Sequence, residues 1–429
     1  MMDINFVREH TEKVKEAAEH KGFDVDIDRL LTLDERRRSL IQKTESIRAR
    51  RNEVSSEIPK VDDDQRQALI DEGRQLKEEL SELDDDLDDV QQEYDELMLM
   101  VPNVPLDEAP IGEAEEDNEV IRRVGEPREF DFEPRTHEEL GKELDIIDKE
   151  RAIRMAGSRA YTLKGAGALL EFAVMRLAMD IMVERGFTPV VGPLMVNREA
   201  MVGTGFFPYG EEDTYEIPKD DKYLVGTSEV FLVSLHREEI LDKEELPLSY
   251  TGHSPCFRRE AGSAGRDVRG VYRVHQFTKV EQAVICEADK EQSHEIHKQL
   301  LDNAEELMKR LELPYRVAIA CTGETGLGQV LKYEIETWMP SRGKYSETHS
   351  CSNLYDYQAR RSGLRYRDDD GDTTYCYTLN NTMAASPRLL IPILEHYQNE
   401  DGTVDVPEAL QPYMYGIETI GADTAGAVG

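Results

Sequence analysis

The chain has 429 residues, 39% of them hydrophobic, with 89 Asp and Glu against 52 Lys and Arg and a formal net charge of −37. That length suits two or three domains with at least one large core. That charge excludes nonspecific attraction of the whole body to phosphate or anionic lipid, while leaving room for a local basic patch. Residues 1–26 read as a short helix and turn. Residues 27–100 contain neither Trp nor Phe, and Leu33, Leu40, Ile47 and Val54 recur every seven residues. After a break at Pro59 to Asp64, Leu69, Gly73, Leu76, Leu80, Leu83, Leu87, Val90, Tyr94, Leu97 and Val101 follow four–three spacing, an apolar seam of heptad type. Two such helices joined by a short polar turn make an antiparallel hairpin, each arm roughly 40–55 Å long at 1.5 Å per residue.

The two helices differ in charge. Leu33 to Lys60 holds eight basic and five acidic residues, and Val61 to Leu97 holds three basic and sixteen acidic. Two readings stand together: attraction between the helices, and a phosphate-binding stripe of Arg36, Arg37, Arg38, Lys43, Arg48, Arg50 and Arg51 on helix one. MVPNVPLDEAPIG (100–112) reads as a Pro-rich linker, followed by an acidic, poorly structured connector to about residue 130. From there strands and helices mix without long βαβ alternation. An antiparallel sheet flanked by helices is expected over residues 131–415, making the whole chain α+β. The Gly- and Ala-rich segment 416–429 reads as a flexible tail.

FRREAGSAGRDVRGVYRVHQFTKVE, residues 257–281, reads as strand, glycine-rich loop, strand. From His253 to Glu281 there are six basic and three acidic residues, a positive island in a strongly acidic chain, which suggests an anionic ligand. Arg258 and Glu260, two apart on a strand, point to one face. Arg266 and Arg269 in the loop can reach phosphates.

This segment resembles motif 2 of the class II aminoacyl-tRNA synthetases, in the version found in the seryl enzymes. ERGFTPVVGPL, with Pro193, resembles motif 1, which builds the dimer interface. TLNNTMAASPRLLIPILE, with Arg388, resembles motif 3. GTSE (226–229), ETHSCSN (347–353), the QARR that follows and the N-terminal hairpin complete the likeness, which covers nearly the whole chain. It implies a homodimeric ligase that uses ATP to convert L-serine to seryl-adenylate and then charges tRNA(Ser), and tRNA(Sec) where the cell has one. The helical arm would grip the long variable arm of the tRNA across the dimer.

The resemblance implies the site residues as well. Arg258, Glu347 and Arg388 carry catalysis. Arg258 bridges the α-phosphate and the serine carboxylate, which its planar fork suits. Glu347 and Ser350 hold Mg²⁺ against the phosphates, as hard oxygen donors can. Phe277 and Arg388 sandwich adenine, Glu260 reads its amino group, and Val274 touches the ligands through its backbone. Arg259, Thr348 and His349 complete the nucleotide set, although the Arg259 side chain should point to the opposite face from its neighbours. Thr227, Ser228, Glu229, Arg258, Val274, Glu281, Asn380 and Thr382 form the serine set. A site built for the hydroxyl rejects alanine and glycine, whose binding leaves its polar groups unpaired. The loop arginines Arg266 and Arg269 contact ATP or the acceptor stem.

Three positions depart from the usual pattern. Ser228 stands where alanine is common, beside the pocket. Arg259 stands where serine is common. Met383 replaces a smaller residue.

Two other readings compete: a class II relative charging a different amino acid or a carrier protein, and a coiled-coil interaction protein with a dead synthetase domain. The hairpin argues against a carrier-protein ligase. Arg258, Glu281, Glu347 and Arg388 together argue against a dead domain. The acidity reads as adaptation to a high-salt cytoplasm and a halophilic archaeal source, since a Debye length of about 3 Å near molar salt makes self-repulsion tolerable. Five cysteines, at 256, 286, 321, 351 and 376, form no C-x-x-C pair. Neither a disulfide framework nor zinc is expected, and a reducing cytoplasm fits. Cys351 reads as a buried structural thiol. No secretory leader and no apolar stretch of about 18 residues is seen, so no membrane association is expected.

Overall fold

The computed structural model describes residues 1–261, 270–421 and 423–424. It divides into two compact units, Met2–Pro102 and Asn103 onward. In the first, α1 (Ile4–Glu9) and α2 (Thr11–His20) precede α3 (Ile27–Glu57) and α4 (Asp63–Met100). Asp26 and Asp62 cap the two long helices, their carboxylates accepting the backbone N–H groups of Arg29 and Gln65. A single 3₁₀ turn at Ile58–Lys60 reverses the chain between them. Leu33, Leu40 and Val54 of α3 and Leu80, Val90 and Tyr94 of α4 are buried, as the heptad seam requires. Gly73 faces Val54 across the seam.

The arginines of α3 meet the acids of α4: Arg29 pairs with Glu93, Arg36 with Asp86, Arg48 with Asp84 and Arg50 with Glu72. Arg37 and Arg38 turn instead to the buried Asp34, which also receives Arg8. Burial alone would raise the Asp34 pKa, but Arg8, Arg38 and Arg37 outweigh it and hold the carboxyl below its usual range. Lys43 and Arg51 have no ion-pair partner among the described residues.

The second unit is built on one eight-stranded sheet. Its strands are β1 (Glu119–Val124), β2 (Thr188–Val190), β3 (Leu248–Phe257), β4 (Gln276–Cys286), β5 (Tyr315–Ile319), β6 (Leu331–Met339), β7 (Lys344–Asn353) and β8 (Tyr377–Ala385), in the spatial order β1-β5-β6-β7-β8-β4-β3-β2. Within this sheet, among the described residues, only the β2–β3 pair is parallel. The helices α5 (Ala166–Glu184) and α7 (Lys290–Arg310) contribute Leu170, Val174, Ile181, Leu300 and Leu307 to the core, together with Val280, Val284, Ile335 and Leu379 of the sheet. Between them in sequence, the short α6 (Glu229–Ser234) sits over Gly252 of β3, where a Cβ would collide with Ser228 and Phe231. Short helices α8 (Tyr357–Ser362) and α9 (Leu390–His396) follow β7 and β8.

Two expectations are corrected. The acidic connector holds β1, which pairs with β5 at the sheet edge because Val120 and Val124 find backbone partners in Ala318 and Tyr315. The tail reading fails for 416–421, since Thr419–Ile420 pairs with Val404–Asp405 and Ile420 is fully buried. In the motif 1-like segment, β2 and the short strand Met195–Val196 are separated by residues 191–194, which include Gly192 and Pro193. Arg266 and Arg269 lie outside the described residues.

Candidate active site

One cavity of about 300 Å³ opens beside the middle of the sheet. Its lining includes Thr227, Glu229, Arg258, Glu260, Val274, Phe277, Glu281, Glu347, Thr348, Ser350, Asn380, Thr382 and Arg388. Residues spread over more than 160 positions thus converge. Two irregularities of strand pairing make this possible.

Glu347 and Ser350 are three apart, so in a regular strand they would face opposite ways. The register runs Glu334 to Ser350, Ile335 to His349 and Glu336 to Glu347, which makes Thr348 an extra residue. This bulge turns Glu347 and Ser350 to the same face. On β8, Glu281 pairs with Thr382 while Val280 pairs with Ala384, making Met383 the extra residue. Thr382 and Ala385, again three apart, therefore both line the cavity.

At one end, β4 presents Phe277, Lys279 and Glu281 in alternation, the period of one strand face. Lys279 and Glu281 form a buried ion pair, and the Thr227 hydroxyl donates to Glu281 Oε2 at 3.4 Å. Glu229, at the start of α6, accepts from Gln358 Nε2 at 2.7 Å and Asn380 Nδ2 at 2.8 Å on the same oxygen. Burial, with the nearby charge of Glu281, pushes the Glu229 carboxyl up to about 7. This end is a small acidic pocket with neutral donors around it, suited to an ammonium and a hydroxyl.

At the other end, Arg388 Nη1 lies 3.1 Å from Glu347 Oε2, and its guanidinium carbon sits 4.4 Å from the centre of the Tyr272 ring. Tyr272 donates its hydroxyl to the Glu347 carbonyl at 3.0 Å. Burial alone would raise the Glu347 pKa, but Arg388, Lys332 and Arg258 outweigh it and keep the carboxyl below its usual value. Arg258 stands between the two ends. Its Nε donates to the Gly226 carbonyl at 3.2 Å and its guanidinium lies 5.3 Å from the Phe277 ring centre.

Glu260 also lines the cavity, but by a different route from the one expected. The strand ends at Phe257, and Glu260 has a φ of 54°, so a turn and not strand alternation aims it; Arg273 Nη1 meets it at 3.2 Å. Three expected residues lie off the cavity. Arg259 is exposed, its backbone N–H bonded to the Asp213 carbonyl. His349 is buried behind the bulge, where burial lowers its pKa to about 4. The Ser228 hydroxyl faces the sheet, 3.1 Å from the Gly252 carbonyl and 2.7 Å from Ser254 Oγ, docking the 227–229 turn onto β3. Met383 also points away, into the core beside Gln282.

Lys279, Tyr272 and Gln358 were missed by sequence reasoning. For Lys279 the signal was present: it sits two residues from both Phe277 and Glu281 on one strand. All five cysteines are free and buried, and Cys351 Sγ lies 3.6 Å from the His297 carbonyl. Among the described residues no group of three or more His, Cys, Asp or Glu could hold a metal, and no helix is long and apolar enough to cross a membrane.

The family profile described as tRNA synthetase class II core domain (G, H, P, S and T) matches residues 214–397, and that of the Seryl-tRNA synthetase N-terminal domain matches residues 1–105. The chain is 48% identical over 421 residues to the serine–tRNA ligase of Deinococcus radiodurans, covering 98% of this chain and 99% of that one. It is 45% identical over 426 residues to the serine–tRNA ligase of Thermodesulfovibrio yellowstonii, covering 98% of this chain and all of the other. Both relatives are bacterial and lend no support to an archaeal source. A crystal structure of seryl-tRNA synthetase from Pyrococcus horikoshii complexed with ATP superimposes with a TM-score of 0.89 at 37% identity, covering 98% of this chain and 99% of that one. Two profiles, full-length relatives and the converging cavity agree that this chain belongs to the seryl-tRNA synthetase family.

Proposed function

We propose that the chain is a serine–tRNA ligase that activates L-serine with ATP and transfers the seryl group to tRNA(Ser). The observation that carries this reading is the placement of Arg258 between an acidic pocket and the Arg388–Glu347 pair. Activation joins a carboxylate to an α-phosphate, so two anions must meet. A guanidinium fixed between their sites offsets that charge without reorganising. Glu229, Glu281 and Thr227 would hold the serine ammonium and hydroxyl, and Arg388 with Phe277 would enclose adenine. Alanine and glycine would leave the pocket's polar groups unpaired.

Glu347 and Ser350 fit Mg²⁺ that takes its remaining oxygens from phosphates and water: both are hard donors on one face, and Glu347 is held ionised. When bound, the ion would clamp and polarise the phosphates. Homodimer formation is supported by exposed apolar residues on α5 and around Pro193, namely Phe172, Val183, Val191 and Met195. Lys43 and Arg51 are the arm cations best placed to meet RNA phosphate, since their neighbours are engaged by carboxylates. The net charge supports work in concentrated salt, and five free, buried cysteines fit a reducing cytoplasm.

The test is amino-acid-dependent ATP–pyrophosphate exchange in concentrated KCl with serine, alanine, threonine and glycine. Strong exchange with serine alone is expected. Folded protein that exchanges with none of them would overturn the proposal.

A further inference from the structure

Glu395 of α9 is fully buried, yet it lies outside the cavity. Each of its oxygens has an assignment. Oε1 accepts the His137 backbone N–H at 3.0 Å and meets His137 Nδ1 at 2.6 Å. Oε2 accepts the Ser341 backbone N–H at 2.9 Å. The His137 ring passes the connection on, because Nε2 accepts the backbone N–H of Val271 at 3.4 Å. A ring that donates from Nδ1 and accepts at Nε2 suits a carboxylate on one side and an amide on the other. Glu138 adds a second hold next door, accepting from the Gly270 backbone while paired to Lys149 Nζ at 2.6 Å. Gly270 has a φ of 72°, and a Cβ there would fall 2.4 Å from His137 Nε2, so this approach requires glycine.

Both branches end on one residue. Val271 directly precedes Tyr272, and Ser341 directly precedes Arg342, whose guanidinium carbon lies 4.3 Å from the Tyr272 ring centre. Tyr272 contacts Arg388 through its ring and through its carbonyl, which accepts from Arg388 Nε at 3.4 Å, and it reaches the Glu347 carbonyl through its hydroxyl. We infer that the buried His137–Glu395 pair is a positioning unit for the nucleotide end of the site: it fixes Tyr272 by its backbone and by the Arg342 that stacks on it, and Tyr272 fixes Arg388 against Glu347. The inference rests on the reading of that end as the ATP site. Glu229, Glu281 and Thr227 receive nothing from this chain of contacts, so its loss should act on ATP and spare serine. A pair that served only the fold would weaken both substrates and stability together.

The experiment measures ATP and serine KM by pyrophosphate exchange, ATP Kd by equilibrium dialysis and thermal stability, for wild type, Glu395→Gln, His137→Ala, His137→Gln and Arg342→Ala. Glu395→Gln and Arg342→Ala should each raise the ATP KM roughly tenfold while the serine KM stays within about twofold. His137→Gln, which keeps an acceptor for the Val271 amide, should recover part of what His137→Ala loses. Arg342 is half-buried at the surface, so Arg342→Ala tests the stacking branch in protein that folds even where a core variant does not. An unchanged ATP KM in Arg342→Ala, or equal rises for both substrates in Glu395→Gln, would overturn the inference. Wild type that binds ATP but exchanges no pyrophosphate with serine would sink the functional reading alone. The ATP Kd of the same variants would then decide the positioning role.

Discussion

The helical arm and the sheet domain both bring cations to carboxylates, and the same pairing does different work in each. Across α3 and α4 the partners are exposed: Arg48 and Asp84 keep 55% and 40% of their side-chain surface. Water and salt screen such pairs, and holding two long side chains costs entropy, so they set the register of the helices more than their stability. The apolar seam holds the arm together. In the cavity, Lys279 and Glu281 keep only 7% and 2%. There each charge depends on its partner, because neither has water to fall back on. Burial turns an interchangeable surface pair into a fixed element of a binding site.

The strongest challenge to this contrast is Arg258→Ala, which removes the cation between the two ends of the cavity. Exchange should fall by about 10²–10³-fold with the thermal transition unchanged; a fall below about tenfold would show that charge offset lies elsewhere. Next is Lys279→Met, which strands Glu281. Chemical denaturation should show a loss of about 3 kcal/mol, and a neutral result would mean that the pair is solvated like those of the arm.

Glu229 gives a pH test. Its folded pKa of about 7 lies above the ordinary 4.5, so the native state holds a proton that the unfolded chain has released. Its contribution to stability is therefore full below pH 4.5 and is lost as pH rises through 7. A serine ammonium held against Glu229, as proposed, would favour the ionised form, so serine binding near pH 6.5 should release up to about one proton. Calorimetry in buffers of different ionisation enthalpy would detect it, and release that persists in Glu229→Gln would disprove the assignment.

In the arm, Lys43→Ala with Arg51→Ala should raise the tRNA KM for aminoacylation a few-fold, at roughly 1 kcal/mol or less for each phosphate contact. Pyrophosphate exchange should stay at the wild-type rate. A matching loss in exchange would argue that the arm is not a separate RNA-binding device. The smallest effect belongs to Gly73→Ala. The added Cβ would meet Val54 Cγ1 at 3.7 Å, an ordinary contact, so relief of glycine's helical cost should stabilise the arm by about 0.5–1 kcal/mol.

Much of this was legible in the sequence. The heptad spacing from Leu33 to Val101 gave both long helices, because a repeated apolar period has few other solutions. The cavity residues Arg258, Glu229, Glu281, Glu347 and Arg388 were found through the motifs that carry them. What escaped depended on contacts between distant segments. No local pattern connects His137 to Glu395, 258 positions away. Ser228 and Met383, flagged as departures near the serine pocket, both turn out of it, and only the packing of α6 on Gly252 and the register of β8 on β4 reveals this. The edge strand β1 was hidden by its charges, since Arg122 and Arg123 mask the pairing of a short strand.

The two bulges that flank the cavity carry one further consequence. Each lets two side chains three residues apart share one face, because the bulge absorbs the odd residue. Neither extra residue is a bare spacer: the Thr348 hydroxyl donates to the Ile335 carbonyl at 3.1 Å and lies 2.8 Å from Thr337 Oγ1, and Met383 is fully buried. Deleting either would leave Glu347 and Ser350, or Thr382 and Ala385, two apart and still on one face. What would be lost is the local bend and twist that the bulge gives the strand beside the cavity. An insertion would do more, because a second odd residue that no bulge absorbs would send the paired groups to opposite faces of the sheet.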